Sequence, residues 1–457
     1  MADSTAISPP APDECLTFPP GLHNAFLFGA FNALSFQIVL SSPMVLYAKS
    51  LHASATILGV ITGMMPLLVI FQIPAASHVN RIGYRKFVLA GWSTRVMFIF
   101  GIALVPLAMF LEENNRLALL LALLFCFNLS RGISSCAWLP WITELVPATL
   151  RGKYLVRDAA TQNLASFATF LVAAASLAGD TKPWQFAVLF AFSGAMGATS
   201  LVFLKRIPDV PTPNEPTRSA TAVPWLEMAR YAPFRKLLRT VVAWSVAYGG
   251  ITAFTVAFLK VKSGLSEGTI LLVSSVAFIG GWSSFWILGH RLDRLGSKPV
   301  LSFSFAAWAL ALLGWLLLAG RIFPTSLVNV LVLQFSMGLL AALVNMSNTR
   351  LAMAIIPAMG RNHFFAIYSV VSNVTLGLAP IAWGLLLDAI GNRSPVWLGI
   401  EWNRYAIFFA AVAVAFVVAF GLSRRLDEPA AASLEELLRE ILIQSPQRFW
   451  VRLWPRG

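Results

Sequence analysis

The sequence predicts an all-α membrane protein in which twelve transmembrane helices form two pseudo-symmetric six-helix bundles. Three observations lead to this prediction. The 457 residues are 58% hydrophobic and only 12% charged, whereas a soluble chain of this length needs roughly 25% charged residues to cover its surface. Apolar runs long enough to cross a bilayer recur along the whole chain, and polar markers in the first half return in the second.

The apolar runs number twelve when each must supply the roughly 20 residues that cross the hydrocarbon as helix. Their predicted limits are 24–47, 56–78, 86–110, 117–143, 160–179, 184–204, 240–259, 268–289, 299–320, 326–349, 364–388 and 405–423. An even number of spans places both termini on the same side of the membrane.

The charge pattern predicts which side that is. With the N-terminus inside, the cytoplasmic loops and tail hold 24 of the 34 Lys and Arg residues and the outer loops hold 8, while Arg95 and Arg131 fall inside spans. Because positive residues are retained on the cytoplasmic side, both termini are predicted to be cytoplasmic. The same retention accounts for the net charge of +14 without a nucleic-acid partner, since the basic residues form no dense block.

Three polar segments flank or divide the spans. Residues 1–21 are Pro-rich and contain no Lys or Arg, so they lack the basic region of a signal peptide and are predicted to be a disordered cytoplasmic leader. Residues 206–239 form a cytoplasmic linker whose stretch "WLEMARYAPFRKLLR" is typical of a basic amphipathic helix at a membrane surface. Residues 425–457 form a cytoplasmic tail, in which Ser433 and Glu436 have capping-box spacing before a second amphipathic helix.

The two predicted bundles, residues 22–205 and 240–424, carry matching polar markers. The aligned pairs are Asn80-Arg81-Ile82-Gly83 with Asp293-Arg294-Leu295-Gly296 at an offset of 213, and Pro147 with Pro357 and Asn163 with Asn373 at an offset of 210. Nearly one offset for three markers indicates a duplicated unit of six spans, as in many transporters.

The repeated loops resemble those of the major facilitator superfamily, over about residues 22–424. The family's loop motif, G-x-x-x-D-R-x-G-R/K-R/K, is matched by "GHRLDRLGSKP", which begins at Gly289. In the first copy, "ASHVNRIGYRK", Ala76 and Asn80 replace the Gly and the Asp. The family's fourth-helix motif, an intramembrane Arg followed by P-x-x-x-R-G, is matched by Arg131 and by the run from Pro147 to Gly152.

This resemblance implies that the two loops bias the equilibrium between inward-facing and outward-facing states. In the family, the Asp reaches across the interface between the halves toward a helix N-terminus, where negative charge is favoured. Asp293 can do this, whereas Asn80 keeps a hydrogen bond without the charge, so the two latches are expected to differ in strength. The alternative is that the loops only anchor the topology. The candidate gating residues are Asn80, Arg81, Gly83, Arg151, Arg157, Asp158, Gly289, Asp293, Arg294, Gly296 and Arg361.

The resemblance also implies that the first, fourth, seventh and tenth spans line a central cavity. Arg131 is the leading candidate for substrate contact, because a mid-membrane Arg costs about 2.5–3.5 kcal/mol on the mildest insertion scale and so requires water, substrate or a partner. The other candidates are Asn32, Ser35, Gln37, Trp138, Tyr248, Thr252, Asn345 and Asn348. For each candidate, Arg131 included, packing or a hydrogen bond between helices is the alternative role. Arg95, on a span that is peripheral in the family, is expected to be structural.

The charged residues within the spans suggest the class of solute. No Asp or Glu lies near the centre of a span, and Arg131 favours an anionic or amphipathic anionic solute. The expected function is secondary transport by rocker-switch alternating access, by a monomer that needs no cofactor or metal. The Arg- and Ala-rich composition is typical of a bacterial inner-membrane protein. No ATP-binding loop or catalytic cluster is found, which argues against a pump or an enzyme. The alternative is a transport-inactive sensor or assembly factor that acts through the tail.

Overall fold

The computed structural model describes residues 18–147, 150–210, 230–288, 296–355 and 361–428. This part of the chain is helical almost throughout. Its α-helices are α1 His23–Leu40, α2 Ser42–Ser50, α3 Ala55–Leu68, α4 Gln72–Ile82, α5 Tyr84–Leu104, α6 Glu113–Ser134, α7 Trp138–Leu145, α8 Arg151–Ser176, α9 Pro183–Arg206, α10 Ala232–Tyr248, α11 Ile251–Val261, α12 Glu267–Leu288, α13 Ser297–Ala319, α14 Leu327–Ile355, α15 Arg361–Ile390 and α16 Arg404–Ser423. A two-residue hairpin, β1 Val396–Trp397 and β2 Ile400–Glu401, precedes α16.

These helices form the twelve spans that the sequence predicts. Four spans are interrupted: α1–α2, α3–α4, α6–α7 and α10–α11 each make one crossing, and the other helices make one each. By length and composition alone, ten of the described spans are apolar enough to cross a membrane, and α8 and α12 are not among them. The first half of α8 is polar, with Arg157, Asp158, Gln162 and Asn163 within two turns, which lowers its mean hydropathy.

The spans pack as two groups of six. In the N-terminal group, α1 lies against α8 and α9, and α5 lies against α6 and α9. In the C-terminal group, α13 packs on α14 and α16, and α10 packs on α15 and α16. The same order of contacts in both groups agrees with the repeat in the sequence.

The repeated hinge has the same backbone conformation in both copies. Gly83, between α4 and α5, has φ +90°, and Gly296, immediately before α13, has φ +85°. A side chain at these angles is strained, whereas glycine is not. Nothing lies within 4 Å of a Cβ built at Gly83, so the backbone angle and not crowding requires the glycine there.

The two halves meet along α3 and α15 and along α8 and α12. The first contact is close because it is made by glycines: a Cβ at Gly59 would lie 2.2 Å from the carbonyl oxygen of Pro380, and one at Gly63 would lie 2.3 Å from that of Gly377. Within a membrane the hydrophobic effect does not drive helices together, and close backbone packing of this kind stabilises their association instead.

One carboxylate joins the halves at the end of this contact. Asp388, near the end of α15, accepts hydrogen bonds from the backbone N–H groups of Ala55 (3.0 Å) and Thr56 (2.8 Å) and from the Thr56 hydroxyl (2.7 Å). It therefore caps the N-terminus of α3 from the other half of the molecule. This face is the outer one in the orientation that the charge pattern predicts, and we refer to it as the outer face.

A second link between the halves lies on the same face. Thr181, after α8, donates a hydrogen bond of 3.1 Å to Glu267, the first residue of α12. This hydrogen bond and those of Asp388 join the two halves at the outer face. The structure is thus a state closed at the outer face.

Candidate substrate-binding site

A cavity of about 390 Å³ lies between the two halves. It receives side chains from the first, fifth, seventh, eighth, ninth and tenth spans. The polar and aromatic lining residues are Gln37, Ser41, Ser42, Asn163, Phe170, Tyr248, Thr252, Ser274, Phe278, Trp308, Gln334 and Asn345. No lining residue is charged, so recognition in this cavity depends on amides, hydroxyls and aromatic faces.

Two of the lining spans are broken at the cavity. The first span is interrupted at Ser41, which has an extended backbone (φ −133°, ψ −151°), and Pro43 follows as the second residue of α2. The seventh span is interrupted at Gly249 and Gly250, the latter with φ +86°. These breaks occupy nearly equivalent positions in the repeat, and paired helix breaks at the membrane midplane are a feature of transporter binding sites.

Four of the predicted substrate-binding residues line this cavity: Gln37, Tyr248, Thr252 and Asn345. The amide of Gln37 donates a hydrogen bond of 3.0 Å to the Ser166 hydroxyl. Tyr248 stacks on Trp244, with ring centroids 4.5 Å apart and planes inclined by 19°. Trp244 therefore supports the Tyr248 ring on one face. Tyr248 lines the cavity together with Thr252 of the next half-helix.

Two predicted residues of the first span make contacts within the N-terminal half instead. The side-chain Oδ1 of Asn32 accepts hydrogen bonds from the Trp92 indole (3.3 Å) and from the Arg95 guanidinium. The Ser35 hydroxyl lies 3.4 Å from that of Ser193, which also donates to the Ser35 carbonyl at 2.7 Å. Asn32 and Gln37 are five residues apart, which places them about 140° apart around the helix, so they face different neighbours.

Arg95 is a buried structural cation. It is 2% exposed, donates to Asn32 and lies 4.7 Å from the Trp92 ring centroid and 5.6 Å from that of Phe127. Its Nε has no hydrogen-bond partner. This charge is stabilised by cation–π contacts and one neutral hydrogen-bond acceptor, and not by an ion pair with a described residue.

Arg131 lies within electrostatic range of Arg95, on the fourth span. It is partly exposed, and no described residue accepts a hydrogen bond from its guanidinium or forms an ion pair with it. It is not among the residues that line the cavity. The structure thus brings two cations together deep in the N-terminal half, and neither is paired with an acidic residue in the part of the chain that is described.

Trp138 and Asn348 also lie outside the cavity lining. Trp138 packs in an aromatic cluster, with ring centroids 4.8 Å from Phe28, 6.4 Å from Trp92 and 6.0 Å from Trp141. Asn348 is 5% exposed, and its side-chain Oδ1 has no hydrogen-bond partner among the described residues.

The predicted gating residues are only partly described. Gly289, Asp293 and Arg294 lie outside the described residues. Asn80 is in α4, Arg151 begins α8 and Arg361 begins α15, but their side chains lie outside the described part as well.

The remaining gating residues are placed as follows. Arg81 is exposed at the end of α4, and Gly83 and Gly296 adopt the positive φ given above. Arg157 is exposed, with its guanidinium 4.9 Å from the Phe26 ring centroid. Asp158 accepts a hydrogen bond of 2.7 Å from Gln162 in the same helix.

Several cavity residues were not predicted. In the sequence Asn163 indicates only the repeat. Gln334 is the single amide within the apolar stretch "VLVLQFSMG", and an isolated amide in such a stretch is a signal for a polar site. Ser41 and Ser42 belong to the helix break, whose sequence signals are Pro43 in the first half and the pair Gly249-Gly250 in the second. The outer capping role of Asp388 was also missed, since its partners lie 332 and 333 residues earlier.

Comparisons with known proteins agree with this architecture. The model of the Major Facilitator Superfamily matches residues 25–290 and 250–455. No curated protein sequence matches the chain. The fold is similar to that of the nucleoside transporter NupG (13% identity, TM-score 0.67, 89% of this chain and 99% of that chain). It is also similar to a POT family transporter in complex with 5-aminolevulinic acid (13%, 0.66, 90% and 97%).

A third structural relative is the xylose transporter XylE from E. coli in an inward-open conformation (16% identity, TM-score 0.62, 91% of this chain and 97% of that chain). At these identities the likeness shows the fold alone, and nucleosides, 5-aminolevulinic acid and xylose are solutes of those proteins. The family model, in contrast, matches nearly the whole chain in two overlapping segments. The chain therefore belongs to the Major Facilitator Superfamily.

Proposed function

We propose that this transporter carries a small organic anion, or an amphipathic molecule with an anionic group, by alternating access. The observation that carries the proposal is the unpaired guanidinium of Arg131 beside the buried cation Arg95. Two cations placed together in a low-dielectric interior repel one another, and a negative charge from outside the chain relieves this repulsion. An anionic solute is the source of such a charge in a transporter.

The cavity supports the organic part of the assignment. Its amides, Gln37, Asn163, Gln334 and Asn345, provide donors and acceptors, while Tyr248 and Trp308 provide aromatic surface. Solute sites that combine a few polar groups with apolar and aromatic walls are typical of small-molecule binding. The lining residues come from both halves, so a solute in the cavity is bound at the interface between them. During alternating access this interface opens first to one side of the membrane and then to the other.

The orientation and location belong to the same proposal. The asymmetry of 24 against 8 basic residues supports cytoplasmic termini, and the composition supports the inner membrane of a bacterium. We further propose that the protein works as a monomer, because each chain has its own cavity between its two halves.

A thermal-shift screen of the purified full-length protein tests the anionic assignment. Organic acids are compared with their neutral amides of similar shape: benzoate with benzamide, nicotinate with nicotinamide and succinate with succinamide. A ligand that binds only the folded state raises the apparent stability by RT ln(1 + [L]/Kd), about 2.7 kcal/mol at 100 times Kd. We expect an acid to raise the melting temperature where its amide does not.

Two variants of the same arginine serve as matched controls. Arg131→Gln removes the charge, and we expect it to reduce the shift given by the acid. Arg131→Lys keeps the charge, and we expect it to retain more of the shift. Amides that stabilise the protein as well as their acids, or a shift that Arg131→Gln leaves unchanged, would contradict the assignment.

A further inference from the structure

The two helix breaks at the cavity place the N-termini of half-helices against it. The half-helices α2 (9 residues) and α11 (11 residues) begin at the cavity and run toward the outer face. Ser42, the first residue of α2, and Thr252, the second residue of α11, both line the cavity. Each N-terminus carries the positive end of a helix dipole, equivalent to roughly half an elementary charge.

The positive ends of these half-helices have no side-chain cap. Neither N-cap position, Ser41 or Gly250, makes a side-chain capping hydrogen bond. In α11 the first backbone hydrogen bond is from Phe254 N–H to the Gly250 carbonyl (2.9 Å), so the preceding N–H groups have no partner within the helix. In α2, Pro43 has no N–H at all, and no hydrogen bond from Ser42 N–H is found in the described part of the chain.

At each break, a carbonyl oxygen near the end of the preceding half-helix accepts a hydrogen bond. The Gln37 carbonyl of α1 accepts from the Ser41 hydroxyl. In α10 the Ser245 carbonyl accepts from Gly249 N–H (2.9 Å), and the Val246 carbonyl accepts from the Trp383 indole (2.8 Å). At each break the following half-helix lacks a side-chain cap, while one or two carbonyls of the preceding half-helix are already paired, which favours an anion over a cation.

A buried hydroxyl without a partner lies at the first break. Ser42 is 1% exposed, lines the cavity, and its Oγ has no hydrogen-bond partner. An unsatisfied buried hydroxyl costs about 1–3 kcal/mol, so a ligand oxygen that accepts from it is favoured. This observation is independent of the helix geometry and indicates the same kind of ligand.

We propose that the break between α1 and α2, together with the N-terminus of α11, forms the subsite that holds an oxyanion of the transported solute. The Ser42 hydroxyl and N–H donate to one carboxylate-like oxygen, and the two dipole ends favour its charge. This inference rests on the proposed function, since it assumes an anionic solute, and it assigns that anion a place in the cavity itself. Arg131 then attracts the anion without lining its binding site.

The site can be tested before any substrate is known, with two thiol reagents of similar size and opposite charge. The probes are sulfonatoethyl methanethiosulfonate, an anion, and trimethylammonioethyl methanethiosulfonate, a cation. The natural cysteines Cys15, Cys126 and Cys136 are replaced by serine, and Ser42→Cys or Thr252→Cys is added. The ratio of the two modification rates is divided by the same ratio for 2-mercaptoethanol in solution.

We expect the anionic reagent to be favoured about three- to tenfold at Ser42→Cys and at Thr252→Cys, from the size of helix-terminus effects. Asn345→Cys is the matched control, because this exposed cavity residue lies within α14, away from both breaks. Its ratio should be smaller. Thr252→Cys keeps the test decisive if Ser42→Cys does not fold.

Adding Arg131→Gln separates the inference from the proposed function. A preference that persists in this background supports the subsite at the breaks. A preference that Arg131→Gln removes would overturn the inference and leave Arg131 as the anion site. Ratios of one or less at both breaks and at Asn345 contradict the inference and the anionic assignment together. Failure of both reagents to react at either break would show that ions do not reach it, which also overturns the inference.

Discussion

Replacing Asp388 by alanine is expected to open the outer face. Its carboxylate spans the two halves, accepting two backbone N–H groups and one hydroxyl at the start of α3. Loss of a carboxylate N-cap costs about 0.5–2 kcal/mol, and hydrogen bonds to a charged group contribute about 1.5–3 kcal/mol when they are well shielded. Asp388 is exposed, so water screens its carboxylate, and we expect about 1–2 kcal/mol in the equilibrium between the outer-closed and outer-open states.

That free energy corresponds to a change of roughly 5- to 30-fold in the ratio of the two states. The measurement is the distance distribution between nitroxide labels at Asn114 and Asn392, which are exposed at the outer ends of different halves. Asp388→Ala should increase the longer-distance population. Thr56→Val, which removes only the hydroxyl donor, should have a smaller effect in the same direction.

The control is Asp180→Ala, which removes an equal charge from an exposed position on the same face. It should leave the distance distribution unchanged. If Asp388→Ala and Asp180→Ala give the same distribution as the unsubstituted protein, the carboxylate cap does not hold the outer face closed, and the reasoning is refuted.

Three further predictions concern stability, each read from thermal unfolding of the purified protein. Glu428 accepts from the backbone N–H groups at the start of α13, at 2.7–2.9 Å, so Glu428→Ala should cost about 1–2 kcal/mol and Glu428→Gln less; equal melting temperatures would count against the cap. The hydrogen bond from Lys262 lowers the pKa of Glu401, so this carboxylate stabilises the fold above about pH 4.3, its ordinary pKa. The stabilisation is lost as the pH falls through the lower pKa of the folded state. Glu401→Gln should therefore flatten the dependence of the melting temperature on pH at acid pH, and an unchanged dependence would contradict this. A Cβ at Gly338 would lie 1.8 Å from a carbonyl oxygen of α12, whereas one at Gly421 meets nothing within 4 Å. Gly338→Ala should therefore destabilise the protein by about 1–3 kcal/mol or more, and Gly421→Ala should not. Similar effects of the two substitutions would show that the α12–α14 contact is not tight.

The sequence predicts the spans because hydropathy averages over whole helices. It does not reveal that the first and seventh spans are broken at the cavity, since 24–47 and 240–259 are apolar on average and a break changes the mean hydropathy little. Pro43 and the pair Gly249-Gly250 are the local signals, and their equivalent positions in the repeat would have strengthened the inference.

The sequence does not show how each helix is rotated about its own axis, and so does not show which polar residues face the cavity. Asn32, Ser35 and Gln37 are equally polar, yet only Gln37 lines the cavity, because the other two face α5 and α9. The Asp388 contact is invisible for another reason: a carboxylate at a helix end has many possible partners, and only the packing of α15 on α3 selects one.

The central claim, that this chain moves an anionic solute across a membrane, is tested most directly by uptake into liposomes containing the purified protein. The solute is the organic acid that gives the largest thermal shift, radiolabelled, with the unlabelled acid inside to drive exchange. We predict saturable uptake that Arg131→Gln reduces at least tenfold and Arg131→Lys reduces less. Uptake equal to that of protein-free liposomes, or uptake of the neutral amide at the same rate as the acid, would contradict the account.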